Sequence, residues 1–294
     1  MQHKTCMMHY RCLGEPEKLI DEELCHEAGV RIEDVFCRAR AMAAVAQHIR
    51  HGDGDAICKL PFAATAEAEQ LGVKEISFSR YHQPVVSAYT ANNLQQLEEI
   101  KEFSFDEGIM GELMLAISSL SEKGELVSMN IEGPFTLLGM LVPSKEIYKG
   151  MRREPDRLKE LCRMLIRNIA KEAAVAAAAG ATILSYADPL ISCNMISPAL
   201  FKNMCGEITC EALQAITMAA PQTTIHVCSA TSTAFEQAGF CRCYSHNVPE
   251  NICYGEALCL ASHSKNGLLV GHGCIQHSDW LMEKPVIYEL ELCE

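Results

Sequence analysis

The sequence lacks the marks of several large protein classes. It has no C-x-x-C pair, no G-x-G-x-x-G fingerprint and no P-loop, so neither a thioredoxin-type redox centre nor nucleotide-phosphate chemistry has support. It has no apolar run long enough to cross a bilayer. The most apolar stretch, 173–184, is about twelve residues, against roughly twenty for a spanning helix. The opening residues, MQHKTCMMHYRC, carry no apolar core and no small-residue cleavage site, so a cytoplasmic chain is expected rather than an exported one. Basic charge is scarce: 25 Lys and Arg face 38 Asp and Glu, for a net charge of −13. Such an acidic surface repels phosphate backbones and anionic headgroups, which argues against nucleic acid and membrane partners. No low-complexity linker and no fixed-period repeat divides the chain, so a single domain over 1–294 is expected.

Sulfur, by contrast, is abundant. Sixteen cysteines stand beside fourteen methionines. In a reducing compartment such thiols are reduced, structural or metal-bound, and the two counts together point to an anaerobic cell.

Hydrophobic periodicity alternates between helix and strand. Helices are expected over 15–50, 63–71, 92–103, 105–123, 144–149, 156–179, 198–219 and 249–262, with a shorter one over 233–237. Strands are expected over 55–60, 126–131, 182–186, 223–228, 240–244 and 267–270, with a further one over 73–78. Strands separated by helices pair in parallel through right-handed crossovers, which gives either a (β/α) barrel or a doubly wound sheet. Asp188, Cys228 and Cys274 all fall at the C-terminal ends of strands, where barrel enzymes put their chemistry. An open sheet also binds ligands at that edge, so both architectures stay in view.

The sharpest local signal is His226-Val227-Cys228 at a strand end. Residues i and i+2 of a strand point to one side, so an imidazole and a thiol face the same point. Cys274, flanked by glycines, offers a second sulfur. Two thiolates and a neutral imidazole make a three-ligand Zn2+ site with an open fourth position, the catalytic type. That set is formally neutral, so an added thiol would lose its proton and stay electron-rich, which favours alkylation of sulfur over activation of water. The plainer reading is a set of small buried thiols beside a core histidine. Rival ligands lie close by: Cys241, Cys243, His246, His272 and His277. A closed structural site built from His226, Cys228, Cys241 and Cys243 is one alternative. Asp188 and Tyr186 end a strand, and Glu132 precedes Gly133-Pro134; each is a candidate for holding substrate. For Asp188 the competing role is a loop cap before proline. Glu67 and Glu69 fit the first turns of a helix, where the dipole favours acids.

Several segments together resemble the uroporphyrinogen decarboxylase superfamily. They are Ala41-Met42-Ala43, Lys59-Leu60-Pro61-Phe62, the run from Thr65 to Gly72, Glu132-Gly133-Pro134-Phe135-Thr136-Leu137, Ala187-Asp188-Pro189, and Ile196-Ser197-Pro198-Ala199-Leu200-Phe201. Within that superfamily, H-x-C with a distant cysteine is similar to the zinc-dependent corrinoid branch, which includes the methylcobamide:coenzyme M methyltransferases. The resemblance implies an α/β fold of (β/α)8 TIM type, with a helical N-terminal extension over 1–52. It implies Zn2+ on His226, Cys228 and Cys274. It also implies a corrinoid carried by a partner protein, and a methyl acceptor that is a thiol such as coenzyme M, or tetrahydrofolate. Dimers occur in the superfamily, so a homodimer is among the expectations. Two departures stand out. Only 45 residues separate Cys228 from Cys274, so either the barrel is trimmed near its C-terminus or Cys274 is not the family's second cysteine. The decarboxylases' arginine-rich N-terminal substrate segment is also not visible. The alternatives to a methyltransferase are therefore a decarboxylase-type lyase and a non-catalytic corrinoid- or metal-binding protein on the same barrel.

Overall fold

Seven strands make the central sheet: β1 (Cys58–Leu60), β2 (Val127–Glu132), β3 (Ile183–Ala187), β4 (Thr224–Val227), β5 (Cys241–Asn247), β6 (Leu269–Gly271) and β7 (Val286–Leu292). The computed structural model describes residues 5–6, 19–73, 75–78 and 84–293. In space the strands run β1-β2-β3-β4-β6-β7-β5. The first five in that order are parallel. β7 then lies antiparallel between β6 and β5. This is a TIM-type α/β barrel whose sheet, among the described residues, is not closed by hydrogen bonds.

The expected trimming falls in the C-terminal half. β4 pairs with β6 rather than with the next strand in sequence, and β5 hangs at the sheet edge on β7. Parallel pairing of successive strands holds from β1 to β4, each connection carrying at least one helix. It fails for β7, which follows β6 without a crossover helix and returns antiparallel, as short connections require. The reading of the sequence assigns no strand there, although Val-Ile-Tyr-Glu-Leu-Glu-Leu alternates with period two.

Strand alternation divides the core. Val127, Met129 and Ile131 of β2, Leu184 and Tyr186 of β3, and Ile225 and Val227 of β4 face outward into the main apolar cluster. There they meet the helices Gly108–Glu122, Pro155–Ala179 and Gly206–Ala219. On the inner side, Ile183 and Val270 pack against Ala257, Leu258 and Ala261 of the helix Tyr254–Ser264. That helix covers part of the inner face of the open sheet. A third cluster joins Ile20 and Cys25 to Ala41, Val45 and Ile49. It is built from Glu22–Glu27 and Ala39–Asp53, within the span 1–52 where a helical extension is expected; in that span Thr5–Cys6 is instead a short strand paired with Leu281–Met282, and residues 15–18 of the expected helix lie outside the described residues.

A helix was expected over 92–103 and is absent apart from one short turn, Leu94–Gln96. The long helix Pro155–Ala179 takes the backbone groups that a helix would pair internally. Arg157 bonds the carbonyl of Leu97. The Asn168 amide bonds the carbonyl of Lys101 at 2.8 Å, and its oxygen accepts from the Phe103 amide at 3.2 Å. The strand expected near 73–78 exists as Glu75–Phe78, but it pairs with Pro84–Ala88 in a separate hairpin. No helix among the described residues is long and apolar enough to cross a membrane.

Candidate active site

Register places one row across the inner face, polar at its first three positions. Asn130, Ser185, His226 and Val270 are direct neighbours on β2, β3, β4 and β6. His226 is fully buried. Its Nδ1 lies 3.0 Å from Ser185 Oγ, while its Nε2 is buried and makes no hydrogen bond. Burial pushes the imidazole down to about 4, the Gly273 backbone only partly offsetting this. The ring is therefore neutral at pH 7. Tyr254 packs edge-on against it at 6.0 Å.

Cys228 sits one step beyond β4, at the start of the helix Ser229–Gln237. Its amide donates to the Tyr186 carbonyl at 2.9 Å, and the next amide, Ser229, donates to the Gly273 carbonyl at 3.0 Å. That second bond ties the turn after β4 to the turn after β6, and so brings Cys228 and Cys274 to one rim. The approach requires glycine at 273, because a Cβ there would enter the Tyr254 ring. His226, Cys228 and Cys274 line a single cavity of about 400 Å³, together with Glu132 and His277. Both sulfurs are half-buried.

The remaining candidates divide. Glu132 faces the cavity. Tyr186 does not: alternation on β3 turns Ser185 and Ala187 inward and sends Tyr186, fully buried, into the helical layer. A substrate contact from Tyr186 is corrected on that ground. The Asp188 carboxylate is likewise outside the cavity lining. It accepts from the amides of Phe135 (3.1 Å) and Thr136 (2.9 Å) and from Thr136 Oγ1 (2.6 Å). It thus caps the helix Pro134–Leu141, with Gly133 so close that a Cβ there would meet the carboxylate. Of the two roles expected for Asp188, the structure shows the capping bonds, and its carboxylate is not part of the cavity lining. Burial raises it to about 7, the Thr136 hydroxyl and the two amides opposing the shift.

Among the rival ligands, His277 shares the cavity, whereas Cys241, Cys243, His246 and His272 do not line it. Cys241 faces the outer core, and His246 pairs with Glu289 at 2.8 Å on the surface. The polar residues of the lining that a reading of the sequence missed include Asn130, Ser185 and Gln276. The first two were accessible in principle: they lie two residues before Glu132 and Ala187, on the same strand faces.

Residues 16–252 match the Uroporphyrinogen decarboxylase (URO-D) family. The chain belongs to that family. The match includes His226 and Cys228 and stops before Cys274. A relative named methylcobamide:CoM methyltransferase MtbA, from Methanosarcina mazei, is 33% identical over 118 residues, which is 39% of this chain and 35% of that protein. Its namesake from Methanosarcina acetivorans is 25% identical over 222 residues, 71% of this chain and 62% of that protein. The chain thus spans less than two thirds of either relative. A solved structure, described as a methyltransferase from Methanosarcina mazei, superposes with a TM-score of 0.65 at 20% identity. It covers 81% of this URO-D chain and 69% of its own. That likeness supports the fold.

Proposed function

We propose that this URO-D family member is a methyltransferase that moves a methyl group from a methyl-corrinoid protein to a thiol such as coenzyme M, with tetrahydrofolate as the other acceptor to test. The observation that carries the reading is the buried Nε2 of His226, without a hydrogen bond, in a cavity it shares with Cys228 and Cys274. A buried polar atom left unbonded is expensive unless a ligand completes it. An imidazole nitrogen with two sulfurs is the donor chemistry of Zn2+; the three atoms do not all lie within 4.8 Å of one another in the structure, so an ion here would have to draw them together. When bound there, Zn2+ would supply the Lewis acidity that keeps an acceptor thiol deprotonated and nucleophilic.

The chain's own residues have defined parts. A metal on Nε2 requires the tautomer in which His226 Nδ1–H donates to Ser185 Oγ, 3.0 Å away, with the Nε2 lone pair directed away from the serine. The apolar part of the cavity, including Ala187, Met195 and Ile275, excludes water from the acceptor sulfur. In the transfer itself the Co–C bond breaks, leaving its electron pair on cobalt. An S–C bond forms, and the thiol proton leaves to solvent. The mouth of the barrel is where the partner would dock. The described residues lining the cavity include the Glu132 carboxylate but no Arg or Lys, which suits a polycarboxylate substrate poorly and weighs against a decarboxylase.

The test is methyl transfer from methylcobalamin to a panel of thiols and tetrahydrofolate, with and without a chelator. The expected result is methylation of a thiol that stops on chelation, returns with Zn2+, and is lost in Cys228→Ala. Transfer that proceeds equally well after the metal is stripped, or no transfer to any acceptor, would overturn the proposal.

A further inference from the structure

The outer side of the sheet carries a second set of ligand-type side chains that the proposed reaction does not use. Glu236, Cys243 and His272 present a carboxylate oxygen, a thiol sulfur and an imidazole nitrogen that all lie within 4.8 Å of one another. None of the three lines the cavity of His226. They come from three elements: the last turn of the helix Ser229–Gln237, the edge strand β5, and the residue just after β6.

The backbone explains how His272 gets there. Alternation along β6 would turn it to the inner side with Val270. Instead His272 has φ +62°, one of only two non-glycine residues with positive φ among those described. That left-handed step reverses the ring's direction and is a strain that L residues seldom adopt without compensation. Its amide is held by Ser232 Oγ at 2.9 Å. The ring then stands edge-on to Tyr288 at 5.7 Å. Its Nε2 lies 3.2 Å from Glu236 Oε2, with Thr233 Oγ1 3.5 Å from Nδ1 on the far side of the ring. A hydroxyl on one ring nitrogen with the other nitrogen turned to a carboxylate and a thiol is how a metal-binding imidazole is oriented.

We infer that Glu236, Cys243 and His272 form a second binding site for a divalent transition metal of the Zn2+ class. The donor set decides the class. Nitrogen, sulfur and oxygen together suit Zn2+ or Co2+, while Mg2+ and Ca2+ take oxygen alone. A tetrahedral ion with bonds of about 2.0–2.3 Å spaces its ligands roughly 3.3–3.8 Å apart, so closing on an ion needs movements of about 1 Å or less. Binding expels the Cys243 proton to solvent, and Zn2+ with one thiolate, one carboxylate and a neutral imidazole is formally neutral. Glu236 is 40% exposed, so the fourth position opens to water. The ion would fasten the edge strand β5 to β6 and to the helix across β7, which lies between the two strands.

Metal content after stripping and reloading with Zn2+ tests the inference, read in the intact chain, Cys228→Ser, Cys243→Ser and the double variant. The expected result is that Cys228→Ser keeps an equivalent that the double variant loses. The site at His226 is judged separately: if it does not exist, Cys228→Ser holds as much metal as the intact chain while Cys243→Ser still loses its equivalent. Alkylation of Cys243 by iodoacetamide in the unaltered protein needs no variant to fold. Zn2+ should slow it at least about tenfold, with Cys37 as the unaffected reference thiol. Equal alkylation rates with and without Zn2+, or metal content unchanged in Cys243→Ser, would overturn the second site.

Discussion

Ser185 and Gly273 each decide something about the rim that their size conceals. The Ser185 hydroxyl is the partner of His226 Nδ1 and touches no ligand itself. Ser185→Ala removes that partner and leaves the ring free to take the other tautomer. The expected effect is a metal dissociation constant raised about 10–100-fold, measured by competition with a chelator, with a stability loss of only about 1 kcal/mol. Gly273 acts through space. An added methyl meets the Tyr254 ring, so Gly273→Ala should destabilise by about 1–3 kcal/mol through overpacking. It should also loosen the 3.0 Å bond from Ser229 that draws the two turns together. Urea unfolding of Gly273→Ala beside the pair Gly273→Ala/Tyr254→Leu checks this, because trimming the ring should restore part of the loss.

Between elements, a buried acid pair stands out. Glu67, on Thr65–Gln70, and Glu172, on Pro155–Ala179, are both fully buried, and no oxygen of either carboxylate has a hydrogen-bond partner. Burial raises Glu67 to about 7. Burial, then the charges of Glu67 and Glu132, raises Glu172 further. The folded state therefore keeps the Glu67 proton between about pH 4.5 and 7, where the unfolded chain has lost it, and stability falls as pH rises through that window. Glu67→Gln removes the effect, so its melting temperature relative to the parent should rise more at pH 8 than at pH 4. A pH-independent difference would contradict the assignment. Glu67 also shows what a sequence discloses. Its place in the first turn of a helix was readable from local pattern, and so was the H-x-C pair facing one way. Its burial against Glu172 was not, because 105 positions separate the two residues. The lost helix over 92–103 has the same cause: Arg157 and Asn168 claim its backbone from far along the chain. For Asp188, read as a substrate ligand or a cap, and for Tyr186, the choice stayed open in sequence, because a strand's end is legible there while the face its last residues present depends on register.

For the whole molecule, the parallel core β1-β2-β3-β4 follows from alternating helices and strands, and the C-terminal rearrangement does not. β7 holds the sheet's far side together, pairing with both β6 and β5. Leu290, 3% exposed at the centre of that pairing, should lose about 2–5 kcal/mol on Leu290→Ala. Chemical denaturation monitored at the single Trp280 would report it; a loss below about 0.5 kcal/mol would deny β7 that part. With a net charge of −13, the docking proposed above for a corrinoid protein would depend on local complementarity rather than on any attraction for polyanions.

The strand order also has a temporal side. β5 is synthesised well before β7, yet β7 is the only strand it pairs with among those described. On the ribosome, β5 must therefore wait as an unpaired segment until 286–292 emerge from the exit tunnel. The early parallel strands can dock as they appear. Any chaperone that guards this polypeptide during translation would find its target in the interval between the two.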